Sequence, residues 1–335
     1  TIDALFIPLR KEIIALVQKI ESSGITPRSD FLKGFPIKDQ EAILIKVVEA
    51  FGFDFSTGRI DQSVHPFCSG HPLDTRITTR YQEDNPLDSL SSAMHETGHA
   101  LYEQGLPKAH LGTALGSAVG MAVHESQSRM WENQVGRSRE FWSFWGPQFK
   151  EKFPKQLRGV EVETLFRAAN RVEISPIRVD ADEITYNLHI MLRFAMEKSL
   201  FSGQLAIADL PEAWNTLSRE YLGYVPKTNA EGCLQDVHWS AGLFGYFPSY
   251  TLGNMVAAQL WYTIQDALPG LQEDFCQGSY TRLLDWLRTH VHSLGRRYET
   301  REFVENVTQK PLNHTYLVRY LKERYLPLYS SNPAI

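Results

Sequence analysis

Apolar residues recur at every third or fourth position along most of this chain, and this spacing predicts helices. The stretch from Ile2 to Ser23 is typical, with Leu9, Ile13 and Leu16 on one side. The pattern as a whole predicts a mainly α fold. The predicted helices cover residues 2–23, 38–51, 85–105, 119–136, 161–172, about 180–201, 210–222, 250–267, 280–294, 300–307 and 314–325.

One segment alternates with a period of two instead. Polar and β-branched residues take turns in the run Asp74-Thr75-Arg76-Ile77-Thr78-Thr79-Arg80. Such alternation predicts a strand, and its polarity favours the edge of a small antiparallel β element. An edge strand can pair with an extended peptide, but a solvated hairpin strand gives the same pattern. Both interpretations stay open.

The predicted helix 85–105 carries a possible metal site. Asn85 suits an N-cap, Pro86 suits the first helical position, and Gly105 suits the end of the helix. Inside it, His95 and His99 are four positions apart and therefore face the same way. They form the H-E-x-x-H pattern, in which two imidazoles bind one zinc ion and the intervening Glu96 reaches a water without ligating the metal. The alternative is two histidines on an ordinary polar face.

The next predicted helix, 119–136, offers a third ligand. Glu125 lies 26 residues beyond His99, and a second helix that carries a glutamate can complete a His, His, Glu site. Three protein ligands leave a fourth position open for water, as catalytic zinc sites require. His124 adjoins Glu125, but neighbours on a helix point about 100° apart, so we expect it to contact the site at most.

A second group of polar residues follows helical spacing. Asp182, Tyr186, His189 and Arg193 form a stripe on the helix predicted to end near residue 201. Such a stripe is usually a solvated face, but an acid, a phenol, an imidazole and a guanidinium together also suit a water-filled cleft. Farther on, residues 232–250 mix glycines with aromatic residues, which suggests a loop whose backbone approaches something closely.

Composition limits the class of protein. The 335 residues are 43% hydrophobic and can form one large domain or two. A net charge of −5 without a basic stripe argues against nucleic acid as a partner, and no apolar run is long enough to predict a membrane span. No signal peptide is predicted, and three cysteines at no metal spacing favour reduced thiols and a cytoplasmic location.

The motifs together resemble those of the Taq-type metallocarboxypeptidase family. The resemblance implies a single catalytic domain over 1–335 with a helical zinc-peptidase fold, a deep substrate groove, a small antiparallel β element beside the zinc helix, and a homodimer. In chain order the motifs are HPF at 65–67, DTRITTR at 74–80, HETGH at 95–99, HESQSR at 124–129, IRVDADEITYNLHI at 177–190 and GCLQDVHW at 232–239.

The same resemblance implies a function. Family members release single C-terminal amino acids from peptides with broad specificity, so peptides with a free C-terminus are the expected substrates. Zinc is the expected metal, with cobalt as an alternative. It implies that His95, His99 and Glu125 bind the metal, and that Glu96 is the general base.

Further roles are expected for residues outside the metal site. The zinc helix is also similar to that of angiotensin-converting enzyme and the neurolysin-type oligopeptidases, where a His and a Tyr from a late loop hold the scissile carbonyl oxygen. His238, Tyr246 and Tyr250 occupy a comparable stretch here. The substrate's terminal carboxylate needs a guanidinium, for which the candidates are Arg178, Arg76 and Arg80. Asp182 is expected to orient a ligand histidine.

One departure from the family is expected. Its members are typically about half as long again, with a helical region before the point where this sequence starts. We therefore keep two alternatives: an endo-acting zinc oligopeptidase, and an inactive binding fragment. Product analysis on peptides with free and blocked C-termini separates these possibilities.

Overall fold

The computed structural model describes residues 1–330 and is mainly helical, which confirms the predicted fold class. Most predicted helices are present with their bounds shifted by a few residues. Within the described residues the α-helices are α1 (Ile2–Ser22), α2 (Ile37–Phe51), α3 (Pro86–Gly105), α4 (Met121–Arg129), α5 (Arg139–Lys152), α6 (Val162–Ala169), α7 (Tyr186–Phe201), α8 (Leu210–Leu222), α9 (Pro248–Ala267), α10 (Leu271–Cys276), α11 (Thr281–His290), α12 (Thr300–Thr308) and α13 (His314–Tyr325).

Two helices were not predicted. Helix α5 contains the aromatic run 141–145, whose density hides the helical period, and it carries an internal Pro147. Its start is nevertheless well defined, because the Ser138 hydroxyl accepts a hydrogen bond from the amide of Phe141 at 3.0 Å. Helix α10 has only six residues, too few for a period to show.

The small β element differs from the prediction in two ways. Strands β1 (Gly58–Gln62), β2 (Phe67–His71) and β3 (Asp74–Thr79) form a sheet in the order β1-β3-β2. Strand β3 pairs in parallel with β1 and antiparallel with β2. The sheet is therefore mixed rather than antiparallel, and β3 is its central strand rather than an edge.

The alternation of polar and β-branched residues in β3 reflects the two faces of the strand. It does not indicate how many strands lie beside it. Thr75, Ile77 and Thr79 are buried on one face, while on the other face Asp74 and Arg76 are exposed and Thr78 is buried. The exposed pair forms an ion pair of 2.9 Å on the solvated face. Because β3 is hydrogen-bonded on both sides, it cannot pair with an extended peptide, and that interpretation of this strand is wrong.

The chain divides into two compact units. Unit 1 comprises Thr1–Thr26, Asn170–Leu252 and the chain from Asn313 onward, and in it α1 packs against α7, α8 and α13. Unit 2 comprises Pro27–Ala169 and Gly253–Leu312, and in it α3 packs against α2, α4, β2 and β3. Whether 1–335 behaves as a single domain stays a prediction.

Across residues 1–330, none of the helices combines the length and the apolar character that crossing a membrane requires.

Candidate metal centre

Helix α3 presents the first two candidate ligands of unit 2. Pro86 occupies its first turn, and the helix continues without interruption to Gly105. His95 and His99 therefore lie one turn apart, and their ring centroids are 4.9 Å from each other. Glu96, between them in sequence, is only 8% exposed.

Helix α4 brings Glu125 to the same place through two close backbone approaches. A Cβ atom on Gly98 would lie 2.5 Å from the Cα of Ser128, so glycine is what allows α3 and α4 to meet this closely. A Cβ atom on Gly253 would lie 2.6 Å from the Cγ of Glu125. The Glu125 side chain is therefore confined between α3 and α9.

The three candidate ligands fit a divalent metal ion. The Oε2 atom of Glu125 lies 3.7 Å from Nε2 of His95 and 3.4 Å from Nε2 of His99. Tetrahedral zinc with bonds of about 2.1 Å sets its ligand atoms about 3.4 Å apart. Within residues 1–330 this is the one group of three or more potential ligands whose donor atoms converge. The predicted ligand set is thus brought together.

A carboxylate that sequence reasoning missed fixes the ring of His95. After α4 the chain continues as a π-helical segment, Met130–Val135, and Glu132 in it lies 2.9 Å from Nδ1 of His95. Glu132 also accepts from Ser91 at 2.8 Å and from Arg129 at 3.2 Å. Its position seven residues after Glu125, on the same helix face, was the available signal.

The role expected for Asp182 belongs to Glu132 instead. In unit 1, Asp182 Oδ1 accepts from the amides of Ile184 and Thr185, and Oδ2 accepts from the Thr185 hydroxyl and the Glu173 amide. Both oxygens are therefore used to shape the turn that precedes α7.

A second contact orients the ring of His99. Its Nδ1 lies 2.6 Å from Nδ1 of His124, and Nε2 of His124 lies 2.7 Å from a carboxylate oxygen of Glu103. His124 thus contacts the site, as expected, without joining the ligand set. Glu103 stands four residues after His99 on α3, so helical spacing was the signal that could have identified it.

Burial and neighbouring charges tune the centre. Burial raises the pKa of Glu96 to about 7; His95 opposes this rise and Glu125 adds to it. Burial lowers the pKa of His99 to about 3, which keeps the imidazole neutral, as ligation requires. Burial also opposes ionisation of Glu125, but Arg129 and His95 outweigh it and hold the pKa of that carboxyl below its usual range.

The polar stripe on α7 is buried rather than a water-filled cleft. Arg193 is 0% exposed and His189 is 1% exposed. Asp236 neutralises part of this cluster: Oδ1 accepts from Nε of Arg178 at 2.7 Å, and Oδ2 accepts from Nε of Arg193 at 2.5 Å. Arg178 also donates to the hydroxyl of Tyr186 at 3.0 Å. Two guanidinium groups therefore share one carboxylate in unit 1.

The candidate oxyanion donors lie together in the same unit. Nε2 of His238 is 2.9 Å from the hydroxyl of Tyr250. The ring of Tyr246 lies 5.7 Å from that of His238 and 5.3 Å from that of Tyr250. Their roles stay predictions.

Arg76 and Arg80, in unit 2, form pairs of their own. Arg76 pairs with Asp74 on β3 in an exposed ion pair, and Arg80 pairs with Asp88 at 2.8 Å. Both guanidinium groups are thus engaged in ion pairs, and their proposed contact with substrate stays a prediction.

Replacing Gly98 by alanine tests the close approach of α3 and α4. We expect a loss of about 1–3 kcal/mol in the free energy of unfolding, because the new Cβ meets backbone atoms that cannot rotate away. Metal binding should weaken as well, since Glu125 moves with α4. Chemical denaturation and competition with a chelator measure the two effects. Gly232→Ala is the matched control, because its Cβ would meet nothing closer than 3.4 Å; equal effects of both substitutions would contradict the interpretation.

Known proteins are similar to this one over nearly the whole chain. The sequence pattern of the family described as carboxypeptidase Taq (M32) metallopeptidase matches residues 1–325. Thermostable carboxypeptidase 1 of Thermus thermophilus is 45% identical over 327 residues, 97% of this chain and 64% of that protein. Carboxypeptidase 1 of Bacillus subtilis is 40% identical over 330 residues, 98% of this chain and 66% of that protein.

Solved structures agree with this relationship. The crystal structure of the M32 carboxypeptidase from Deinococcus radiodurans R1 has a TM-score of 0.96 and 43% identity, covering 98% of this chain and 66% of that one. The chain thus spans just under two thirds of the length of these relatives. A match from residue 1 to residue 325, together with identities above 40%, shows that the chain belongs to the carboxypeptidase Taq (M32) metallopeptidase family.

Proposed function

We propose that this chain carries the catalytic centre of a metal-dependent carboxypeptidase, which hydrolyses the C-terminal bond of peptides and releases single amino acids with broad specificity. The observation that carries the proposal is the convergence of His95, His99 and Glu125 with the buried Glu96 beside them. The names of the relatives, carboxypeptidases from three organisms, support the choice of reaction.

The residues divide the chemistry between them. A divalent cation in the three-ligand set would polarise the scissile carbonyl and make a water more acidic. Glu96 accepts the proton that the attacking water loses and passes it to the nitrogen of the leaving amino acid. A buried carboxyl beside the ligand histidines is suited to both steps, because it can accept a proton in one step and release it in the next.

The oxygen of the substrate carbonyl needs donors as it gains charge. We assign them to His238 and Tyr250, with Tyr246 as the neighbouring alternative. The hydrogen bond between His238 and Tyr250 supports this assignment, since it fixes the ring and the hydroxyl relative to each other. Loss of one such donor typically lowers the rate by roughly 10²–10³.

The terminal carboxylate of the substrate is assigned to Arg178. Because Asp236 is shared between Arg178 and Arg193, this cluster keeps an excess of positive charge. Arg76 and Arg80 already form ion pairs with Asp74 and Asp88, so they attract a further anion less strongly. A peptide with a free C-terminus supplies the anion, whereas an amidated peptide does not.

Further properties belong to the same proposal. Two imidazoles and a carboxylate suit zinc, and cobalt accepts the same ligands.

Three free cysteines, Cys68, Cys233 and Cys276, fit a cytoplasmic location, where thiols stay reduced. A homodimer follows from the family resemblance and is tested by the mass of the protein in solution. The net charge of −5 favours peptides over nucleic acids as partners.

Product analysis by mass spectrometry tests the proposal. Peptides with free C-termini and the same peptides with amidated C-termini are incubated with the zinc-loaded protein and with metal-stripped protein. We expect ladders that shorten one residue at a time, only with zinc and only from free C-termini. Internal cuts of amidated peptides would establish the oligopeptidase alternative. Bound metal without any cleavage would establish a binding fragment.

A further inference from the structure

The rings of His99 and His124 are close enough to share one proton. Nδ1 of His99 and Nδ1 of His124 are 2.6 Å apart. At this distance two N–H groups would repel each other, and so would two lone pairs. The pair is stable only when one nitrogen carries a proton and the other accepts it.

The identity of the donor follows from the ligand set. Nε2 of His99 faces Glu125 at 3.4 Å, so this nitrogen must keep its lone pair for the metal. A neutral imidazole that ligates through Nε2 has its proton on Nδ1. His99 is therefore the donor and His124 the acceptor. The proton of His124 then lies on Nε2, 2.7 Å from the carboxylate of Glu103, which can only accept.

We propose that His124 and Glu103 are a positioning pair that fixes the tautomer and the ring rotation of the ligand His99. The three side chains form a series of two hydrogen bonds, from His99 to His124 and from His124 to Glu103. Each contact has one donor and one acceptor. The proposal rests on metal binding by His99 and not on peptide hydrolysis, so it can be tested in a protein that cleaves nothing.

The hydrogen bonds that orient the two candidate ligand histidines therefore differ in strength. His95 donates to Glu132, a carboxylate that Arg129 and Ser91 also hold. His99 donates to an imidazole nitrogen, and the carboxylate of Glu103 lies on the far side of that ring. An ionised acceptor makes the stronger hydrogen bond, so the link through His124 is the more easily broken of the two.

Metal affinity in two variants of His124 tests the pair. His124→Leu removes the acceptor, whereas His124→Asn places its side-chain oxygen close to the position of Nδ1 and keeps it. We expect the leucine variant to bind zinc roughly 10–100-fold more weakly in competition with a chelator. The asparagine variant restores the acceptor for His99 but not the contact with Glu103, so we expect it to recover only part of this loss. His110→Asn, at an exposed position, is the control and should match the unchanged protein.

Nitrogen NMR of the imidazoles in the unchanged, zinc-loaded protein gives a second readout that needs no variant. The proposal requires a proton on Nε2 of His124 and a proton on Nδ1 of His99. A proton on Nδ1 of His124 would overturn it, as would equal zinc affinities in the leucine and asparagine variants. Because peptide cleavage is not measured, failure of the proposed function leaves this test intact.

Discussion

Replacing Glu96 by glutamine is expected to reduce the rate of peptide hydrolysis about 10³-fold or more while the metal stays bound. Glutamine keeps the size of the side chain but cannot accept the proton of the attacking water, and general-base catalysis alone typically supplies 10²–10⁴-fold. The three candidate ligands are unchanged by this substitution. The rate on a peptide with a free C-terminus and the zinc content of the purified protein are the two measurements.

Glu49→Gln is the matched control, because Glu49 is an exposed glutamate on α2 and its replacement should change neither quantity. A Glu96→Gln protein that keeps more than one tenth of the rate would contradict the general-base role. Loss of zinc together with activity would instead indicate that Glu96 helps to assemble the centre.

The same substitution should stabilise the metal-free protein at alkaline pH. Folding raises the pKa of Glu96 from 4.5 to about 7, so a penalty on folding builds up between these two pH values, where the unfolded chain releases this proton more readily, and stays constant at higher pH. The penalty is roughly 3 kcal/mol at pH 8 and disappears as the pH falls below the unfolded value. Glutamine carries no charge, so the gain from Glu96→Gln should follow this pH dependence.

Replacing Asp236 by asparagine is expected to have the largest effect on stability. The substitution leaves two buried guanidinium groups without their carboxylate, and Arg193 is 0% exposed. Removal of one partner from a buried ion pair typically costs about 3–5 kcal/mol. Chemical denaturation near neutral pH measures the loss.

The control for Asp236 is Glu12→Gln, which breaks a half-exposed ion pair between α1 and α13 of the same unit. Such pairs contribute about 0–1 kcal/mol. Burial opposes ionisation of Asp236, but Arg193 and Arg178 outweigh it and hold the pKa of this carboxyl below its ordinary range. The contribution of Asp236 to the free energy of unfolding is therefore fully present above the pKa of this carboxyl in the unfolded chain. It is lost as the pH falls through the lower pKa that the carboxyl has in the folded protein. A loss below 1 kcal/mol at pH 7 would contradict the interpretation.

The sequence predicts those parts of the metal centre that follow from the spacing of residues along a helix. His95 and His99 are one turn apart on one helix, so their common direction follows from the period alone. Adding Glu125 required only that a second helix return to the first. Glu103 and Glu132 obey the same spacing, at four and seven residues from a ligand, and could have been found in the same way.

Other features depend on contacts that local patterns do not encode. The alternation in β3 reports which residues face solvent, but the number of neighbouring strands depends on β1 and β2, which are short and irregular in sequence. Similarly, the stripe on α7 looked solvated because its partner Asp236 lies 43 residues beyond Arg193. A buried ion pair becomes recognisable only when both members are known.

Helix α1 illustrates what the discontinuous unit 1 means for synthesis on the ribosome. Its apolar side packs against α13, and the ion pair between Glu12 and Lys322 spans 310 residues. At translation rates of about 5–20 residues per second, α1 waits about 15–60 s for this partner. Helices α7 and α8 are made earlier, but until α13 is made the part of α1 that packs against it has no partner within unit 1. Completion of unit 1 therefore depends on the two helices farthest apart in sequence, although they contribute none of the candidate metal ligands.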